Sequence, residues 1–302
     1  MMMILTIMMT IFISEVRSSQ SFSSQPADVT VNLGDEVTLP CVVVNRRGIV
    51  QWTRDNFGLG VDRDLRWCSR YSMRGAGADG DYSLKITEVS LEDDASFQCQ
   101  VGAVPGVASV QSSSASVTVQ VQPQPPVILN GGQLEIMESS EVEVKCKSWR
   151  GKPPAEIKWF DASDKEIEVT GEEEDQNIVD ETEDIENSKI KNQISTIKIE
   201  VTKEMDGTNL TCQASHPTYS EPQRTVILLR VQYKPELTVD QEPGEIKEGD
   251  SVKINCKSQS NPSKVMFKWY IDDIIEYDKV KDDDLTDQTS SLEITGAFIM
   301  KP

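Results

Sequence analysis

Apolar and polar residues alternate in short runs along most of this chain. Over 36–44 the apolar positions are Val37, Leu39, Cys41 and Val43. A period of two is that of a half-buried β-strand, one face on a core and the other in water. The same period predicts strands over 28–32, over 49–55 with Val50 and Trp52 inward, and through Tyr82, Leu84 and Ile86. It recurs at Phe97 and Cys99, over 115–121, at Val142, Val144 and Cys146, at Ile157 and Trp159, and over 194–201. Where Trp52, Phe97 and Cys99 point inward, Gln51, Thr53, Gln98 and Gln100 must point outward. Phe57-Gly58-Leu59-Gly60 reads as a turn and short strand, and 101–107, with its two glycines and a proline, as a loop.

The cysteines and tryptophans make these strands a repeat. Cys41, Trp52 and Cys99 follow one another, then Cys146, Trp159 and Cys212, then Cys256 and Trp269. A cysteine on the second strand, a tryptophan on the third packed against the disulfide, and an aromatic two residues before the second cysteine define an immunoglobulin sandwich of about 100 residues. Phe97 takes the aromatic position without a hydroxyl, and Leu210 takes it without a ring. The fold class is therefore all-β: tandem immunoglobulin-like sandwiches, two complete and a third truncated. Disulfides are expected at Cys41–Cys99 and Cys146–Cys212, with Trp52, Trp159 and Trp269 as the core tryptophans. In this fold the arginine opening the fourth strand commonly pairs with an aspartate five before the second cysteine, here Arg70 with Asp94.

The predicted boundaries are 1–19 for a signal peptide, 20–121 and 126–232 for the first two domains, and 235–302 for an incomplete third. Gln122-Pro123-Gln124-Pro125-Pro126 is a stiff linker between the first two. Trp52 and Cys99 are 47 residues apart and Trp159 and Cys212 are 53 apart, so a third closing cysteine is expected near 316–322, past Pro302. Cys256 is read as having lost its partner to that truncation. Cys68 lies outside the pattern, free or bonded elsewhere.

The apolar run of Ile4, Leu5, Ile7, Met8, Met9, Ile11, Phe12 and Ile13 ends in Val16-Arg17-Ser18, which suits a cleaved secretory leader better than a membrane span. Secretion agrees with paired cysteines, which persist in an oxidising compartment. The net charge of −20 makes nucleic acid and anionic lipid poor partners. Acidity is lowest in the first domain, with 12 acids against 8 bases over 20–121 and 22 against 12 over 122–232.

Nine carboxylates and no base occur over 172–186. The spacing and glycine of a calcium loop are absent, so the segment reads as a solvated acidic loop and no metal site is expected. The single histidine, His216, reads as an exposed loop residue. No nucleophile elbow, phosphate-cradling glycine loop or paired-histidine motif accompanies it, so the chain is expected to be no enzyme, with no cofactor and no small-molecule substrate. Asn209-Leu210-Thr211 is an N-glycosylation acceptor whose asparagine faces outward if Leu210 and Cys212 face in.

Val50-Gln51-Trp52-Thr53-Arg54-Asp55 with Phe57-Gly58-Leu59-Gly60, then Arg70-Tyr71-Ser72-Met73, Gly80-Asp81-Tyr82-Ser83-Leu84 and Asp93-Asp94-Ala95-Ser96-Phe97-Gln98-Cys99-Gln100-Val101-Gly102, resemble the first domain of the Kirre/Roughest adhesion receptors, relatives of nephrin. Pro126-Val127-Ile128-Leu129 and Asn261-Pro262 are similar to the family's second and third domains. The resemblance implies a single-pass cell-surface protein that binds itself or a nephrin-like receptor on a facing cell, through the front sheet of the first domain. It implicates Gln51, Thr53, Phe57, Gln98 and Gln100 in that contact. A glutamine face suits self-pairing, since each amide both donates and accepts across a two-fold axis. The alternative is a secreted soluble ligand or decoy, and this fragment by itself is expected to be secreted.

Overall fold

The computed structural model describes residues 19–65, 68–171, 176–185, 188–242, 244–245, 247, 249–271, 274–279 and 288–294. Positions 1–18 of the predicted signal peptide lie outside them. The chain divides into two compact units, one formed by 1–122 with the short segments 151–153 and 187–190, the other by the remainder.

The first unit holds eleven strands among the described residues: β1 Ser21–Ser24, β2 Val29–Asn32, β3 Val37–Leu39, β4 Val42–Val44, β5 Val50–Arg54, β6 Phe57–Gly58, β7 Tyr71–Met73, β8 Leu84–Ile86, β9 Ser96–Val101, β10 Val110–Gln111 and β11 Ala115–Gln120. One sheet has the order β2-β11-β9-β5-β6, with β10 beside β9, and the facing layer is built from β3-β8-β7 and the pair β1-β4. β2 and β11 run parallel while their neighbours are antiparallel. Between the layers Cys41 and Cys99 form a disulfide, and Trp52, Phe97, Leu39, Leu84 and Ile86 close around it. The Trp52 indole N–H, too polar to bury unpaired, donates to the Tyr82 carbonyl at 2.8 Å.

The arginine of this domain pairs with Asp93, not with Asp94. A 3-10 turn over Leu91–Asp93, capped by Ser90, swings Asp93 into full burial, and Arg70 Nη1 reaches its carboxylate at 2.5 Å. The Ser90 N–H donates to the same carboxylate at 2.7 Å, and the Tyr71 hydroxyl also donates to it. Phe97 has no corner hydroxyl, and Tyr71, packed edge-on against it at 6.3 Å, brings one from β7 instead. Burial alone would raise the Asp93 carboxyl, but the bonds from Arg70, Ser90 and Tyr71 outweigh it and hold it below the usual range.

Asp94, one residue on, faces the other way. It accepts from the Val119 N–H at 2.9 Å, from Lys189 at 2.9 Å and from Lys152, both lysines lying in the same unit. Burial works against its ionisation, yet the two ammonium groups prevail and bring its pKa down to about 2, from an ordinary 3.8. A carboxylate lowered in the folded state stabilises above its unfolded value and loses that contribution as pH falls through the folded one. Asp94→Asn is therefore expected to cost about 1–2 kcal/mol above pH 4, with the difference closing towards pH 2. Paired acid-unfolding curves check this, and a gap that persists at pH 2 would contradict it.

The second unit contains β12 Val127–Ile128, β13 Gln133–Met137, β14 Glu141–Gly151, β15 Glu156–Phe160, β16 Ile178–Asp184, β17 Lys191–Glu200, β18 Asn209–Ser215, β19 Gln223–Glu242, β20 Val252–Asn261, β21 Phe267–Ile271, β22 Ile274–Lys279 and β23 Thr289–Ile294. Sheet β12-β14-β17-β16 faces β13, β15, β18 and the first half of β19. The Cys146–Cys212 disulfide and Trp159 fill the space between, with the Trp159 N–H donating to Ser195 Oγ at 2.9 Å. β19 continues without a break into pairing with β20, which pairs in turn with β23. Here the arrangement repeats: Trp269 donates to Ser290 Oγ at 3.0 Å, and Ser290 stands opposite buried Cys256.

Two expectations for this unit are corrected. The segment read as an acidic loop forms β16 over 178–184, an edge strand hydrogen-bonded to β17. Its carboxylates find cations, Glu183 with Lys147 at 2.6 Å and Asp184 with Lys191 at 3.0 Å, and a charged edge resists pairing with another chain. His216 is not exposed: only 8% of it reaches solvent. Its Nδ1 lies 2.7 Å from Thr218 Oγ1 and its ring meets Tyr219 edge-on, so it ties the loop after β18.

Candidate front-face recognition site

β5, β9 and β10 lie side by side, and their register aligns Gln51 with Gln100 and Gln100 with Gln111. The three side chains form a directional row. Gln111 Nε2 donates to Gln100 Oε1 at 3.2 Å, and Gln100 Nε2 donates to Gln51 Oε1 at 3.5 Å. The row ends over β6, where a Cβ on Gly58 would lie only 2.4 Å from Gln51 Nε2. A side chain at Gly58 would push the end of Gln51 aside, so the glycine leaves room for the last amide where it stands.

The expected residues do not all share this surface. Gln98 is half-buried, its Nε2 donating to the Ser112 carbonyl at 2.7 Å. Thr53, expected to face solvent, is only 7% exposed between β6 and β9 and bonds to the Gln98 carbonyl at 3.3 Å. Its neighbours on both strands cover a short side chain, so it offers little to a partner. Phe57 is 78% exposed, but its register partner is Arg54, which puts it on the alternation of Val50 and Trp52 at the sheet's edge. The hairpin turn is Asp55-Asn56, both at positive φ, so Phe57 begins the next strand and belongs to no turn. Ile49, on the alternation of Gln51 and likewise exposed, adds apolar area beside the row.

Sequence reasoning missed Gln111 and the role of Gly58. Val110-Gln111 does alternate in step with Val101 and Gln100, but two residues are too few for a periodic signal. Asn209 is exposed at the start of β18, facing outward as the strand alternation predicts. Among the described residues no group of three or more His, Cys, Asp or Glu side chains could hold a metal, and no helix is long and apolar enough to cross a membrane.

Comparison with known proteins agrees with this architecture. Residues 20–121 match the immunoglobulin I-set domain, and 120–223 match the CD80-like C2-set immunoglobulin domain. The chain is 35% identical over 279 residues to irregular chiasm C-roughest protein of Drosophila melanogaster, covering 84% of this chain and 36% of that protein. It is 33% identical over 249 residues to kin of IRRE-like protein 1 of Rattus norvegicus, covering 82% of this chain and 30% of that one. It thus spans about a third of the length of these relatives. The crystal structure of Rst D1-D2 is 37% identical with a TM-score of 0.66, covering 71% of this chain and all of that one. With its two disulfide-centred sandwiches and these relatives, the chain belongs to the Kirre/Roughest family of immunoglobulin-superfamily adhesion proteins.

Proposed function

We propose that this chain acts outside the cell in cell-to-cell recognition, through the β5–β9–β10 face of its first domain, binding a second copy of itself or a nephrin-like receptor. The observation that carries the reading is the Gln111-Gln100-Gln51 row, a line of amides oriented in one direction on an open sheet face. Two such rows meeting about a two-fold axis perpendicular to them run antiparallel, so the donor end of each faces the acceptor end of the other. Ile49, on the same alternation as Gln51, supplies apolar area that a small polar patch lacks, whereas Phe57 lies on the opposite alternation at the sheet's edge. The chain works as a binding module and not as a catalyst, with its two disulfides suited to an oxidising compartment.

Sedimentation of the secreted chain across a concentration series tests the proposal. The wild type is expected to self-associate, and Gln51→Ala to weaken association about tenfold, the equivalent of about 1.4 kcal/mol. If the wild type stays monomeric at high micromolar concentration and also fails to bind a nephrin-like ectodomain, the proposal is wrong. Heterophilic binding alone, lost in Gln51→Ala, would keep the face and change the partner.

A further inference from the structure

Gln20 stands one residue ahead of β1, in a polar stretch with no core pattern, yet it is only 2% exposed. Both ends of its carboxamide are bonded. Nε2 donates to the Ala108 carbonyl at 2.7 Å and to the Gly102 carbonyl at 3.1 Å. Oε1 accepts from the Gly48 N–H at 3.2 Å and the Arg47 N–H at 3.3 Å. These four backbone groups come from two loops, one entering β5 and the other leading from β9 to β10. The loops touch with no side chain between them: a Cβ on Gly48 would lie 1.9 Å from the Gly102 oxygen, and the Gly102 N–H donates to the Ile49 carbonyl at 2.9 Å. Buried backbone groups need partners, and one carboxamide matches two donors and two acceptors at once.

We propose that Gln20 is a positioning residue, a four-point clasp that sets the loops holding Gln51, Gln100 and Gln111 in register, and that the mature chain keeps at least one residue ahead of it. The second part follows from the chemistry of a terminal glutamine. Its free α-amino nitrogen attacks its own Cδ, the new N–Cδ bond forms, the Cδ–Nε2 bond breaks and ammonia leaves. No other reagent is needed. The lactam keeps the oxygen but has lost the nitrogen that donates to Gly102 and Ala108, so a leader cut after residue 19, the boundary expected from the sequence, would undo the clasp. A cut after residue 18 or earlier leaves the carboxamide intact. The effect on binding rests on the recognition role proposed above, whereas the clasp itself does not.

The test uses the secreted chain as wild type, Gln20→Glu and the uncharged Gln20→Met. Gln20→Glu keeps an oxygen for Arg47 and Gly48 but turns a second oxygen on two carbonyls. Hydrogen exchange is expected to rise about tenfold in peptides covering 45–49 and 102–110 while 84–86 and 96–99 keep their protection, and self-association is expected to weaken about tenfold. Unchanged loops, or a uniform rise across the domain, would overturn the clasp. If the wild type does not self-associate, the recognition reading fails, and the exchange pattern still decides the clasp. Terminal mapping by mass spectrometry decides the rest: a first residue at or before Ser19 supports the proposal, and pyroglutamate at position 20 overturns it.

Discussion

Asp93→Ala is expected to destabilise the first domain by about 4 kcal/mol, within the range measured when one member of a buried charged network is removed. The carboxylate is fully buried and is the shared acceptor for Arg70, the Ser90 N–H and the Tyr71 hydroxyl. Alanine leaves the guanidinium and the phenol facing each other, with Arg54 also close to that phenol at 3.2 Å, and no acceptor between them. In the folded protein burial, and then the bond to Asp93, push the phenol's pKa up, so Tyr71 is neutral and donates to that carboxylate. Asp93→Asn keeps an acceptor and loses the charge, and should cost about half as much. Hydrogen exchange over 84–101 in the full chain reads the change within this domain. A loss below about 1 kcal/mol would mean that the network is not a keystone.

Removing the first disulfide is expected to cost about as much. Cys41 and Cys99 are 58 residues apart, and closing a loop of that length restricts the unfolded chain by about 4 kcal/mol in the chain-entropy account. Cys41→Ala with Cys99→Ala is the appropriate variant. A single replacement would leave a free thiol in the same core against which Cys68 packs, and in an oxidising medium the oxidant could join the two as a new disulfide. The Cys146–Cys212 loop of 66 residues should give a similar value in its own domain, so the pair serve as mutual controls. Loss of protection confined to the domain whose bridge was removed is the expected outcome. A shift in both domains would show that their stabilities are coupled.

Much of the fold was legible because strand burial is local and periodic. Val37, Leu39, Cys41 and Val43 announced themselves by spacing, and all four lie in the first core. The same logic placed Gln51 beside Gln100. It failed where local pattern and long-range pairing disagree. β1 was missed because Ser21-Phe22-Ser23-Ser24 carries one apolar residue, and it is held by antiparallel pairing with β4. β16 was missed because seven residues rich in carboxylates look like solvated coil, although backbone bonds to β17 need no apolar face. Asp93 and Asp94 are adjacent and chemically alike, so only the geometry of the 3-10 turn decides which meets Arg70. His216 was misjudged because a polar loop residue carries no sign that Thr218 and Tyr219 will enclose it.

The sequence by itself determined the repeat, the two disulfide pairs, the tryptophans Trp52 and Trp159 of the first two cores and the family, since these depend on residue type and spacing. Tertiary structure alone decided that Thr53 is covered, that Phe57 belongs to the edge, that Gln111 completes the amide row and that Gln20 joins two loops. The physical reason is the range of each interaction. Apolar burial is set by which side of a strand a residue occupies, which period two reveals. A hydrogen bond depends on a partner tens of residues away arriving within about 3 Å, and only the folded register supplies that.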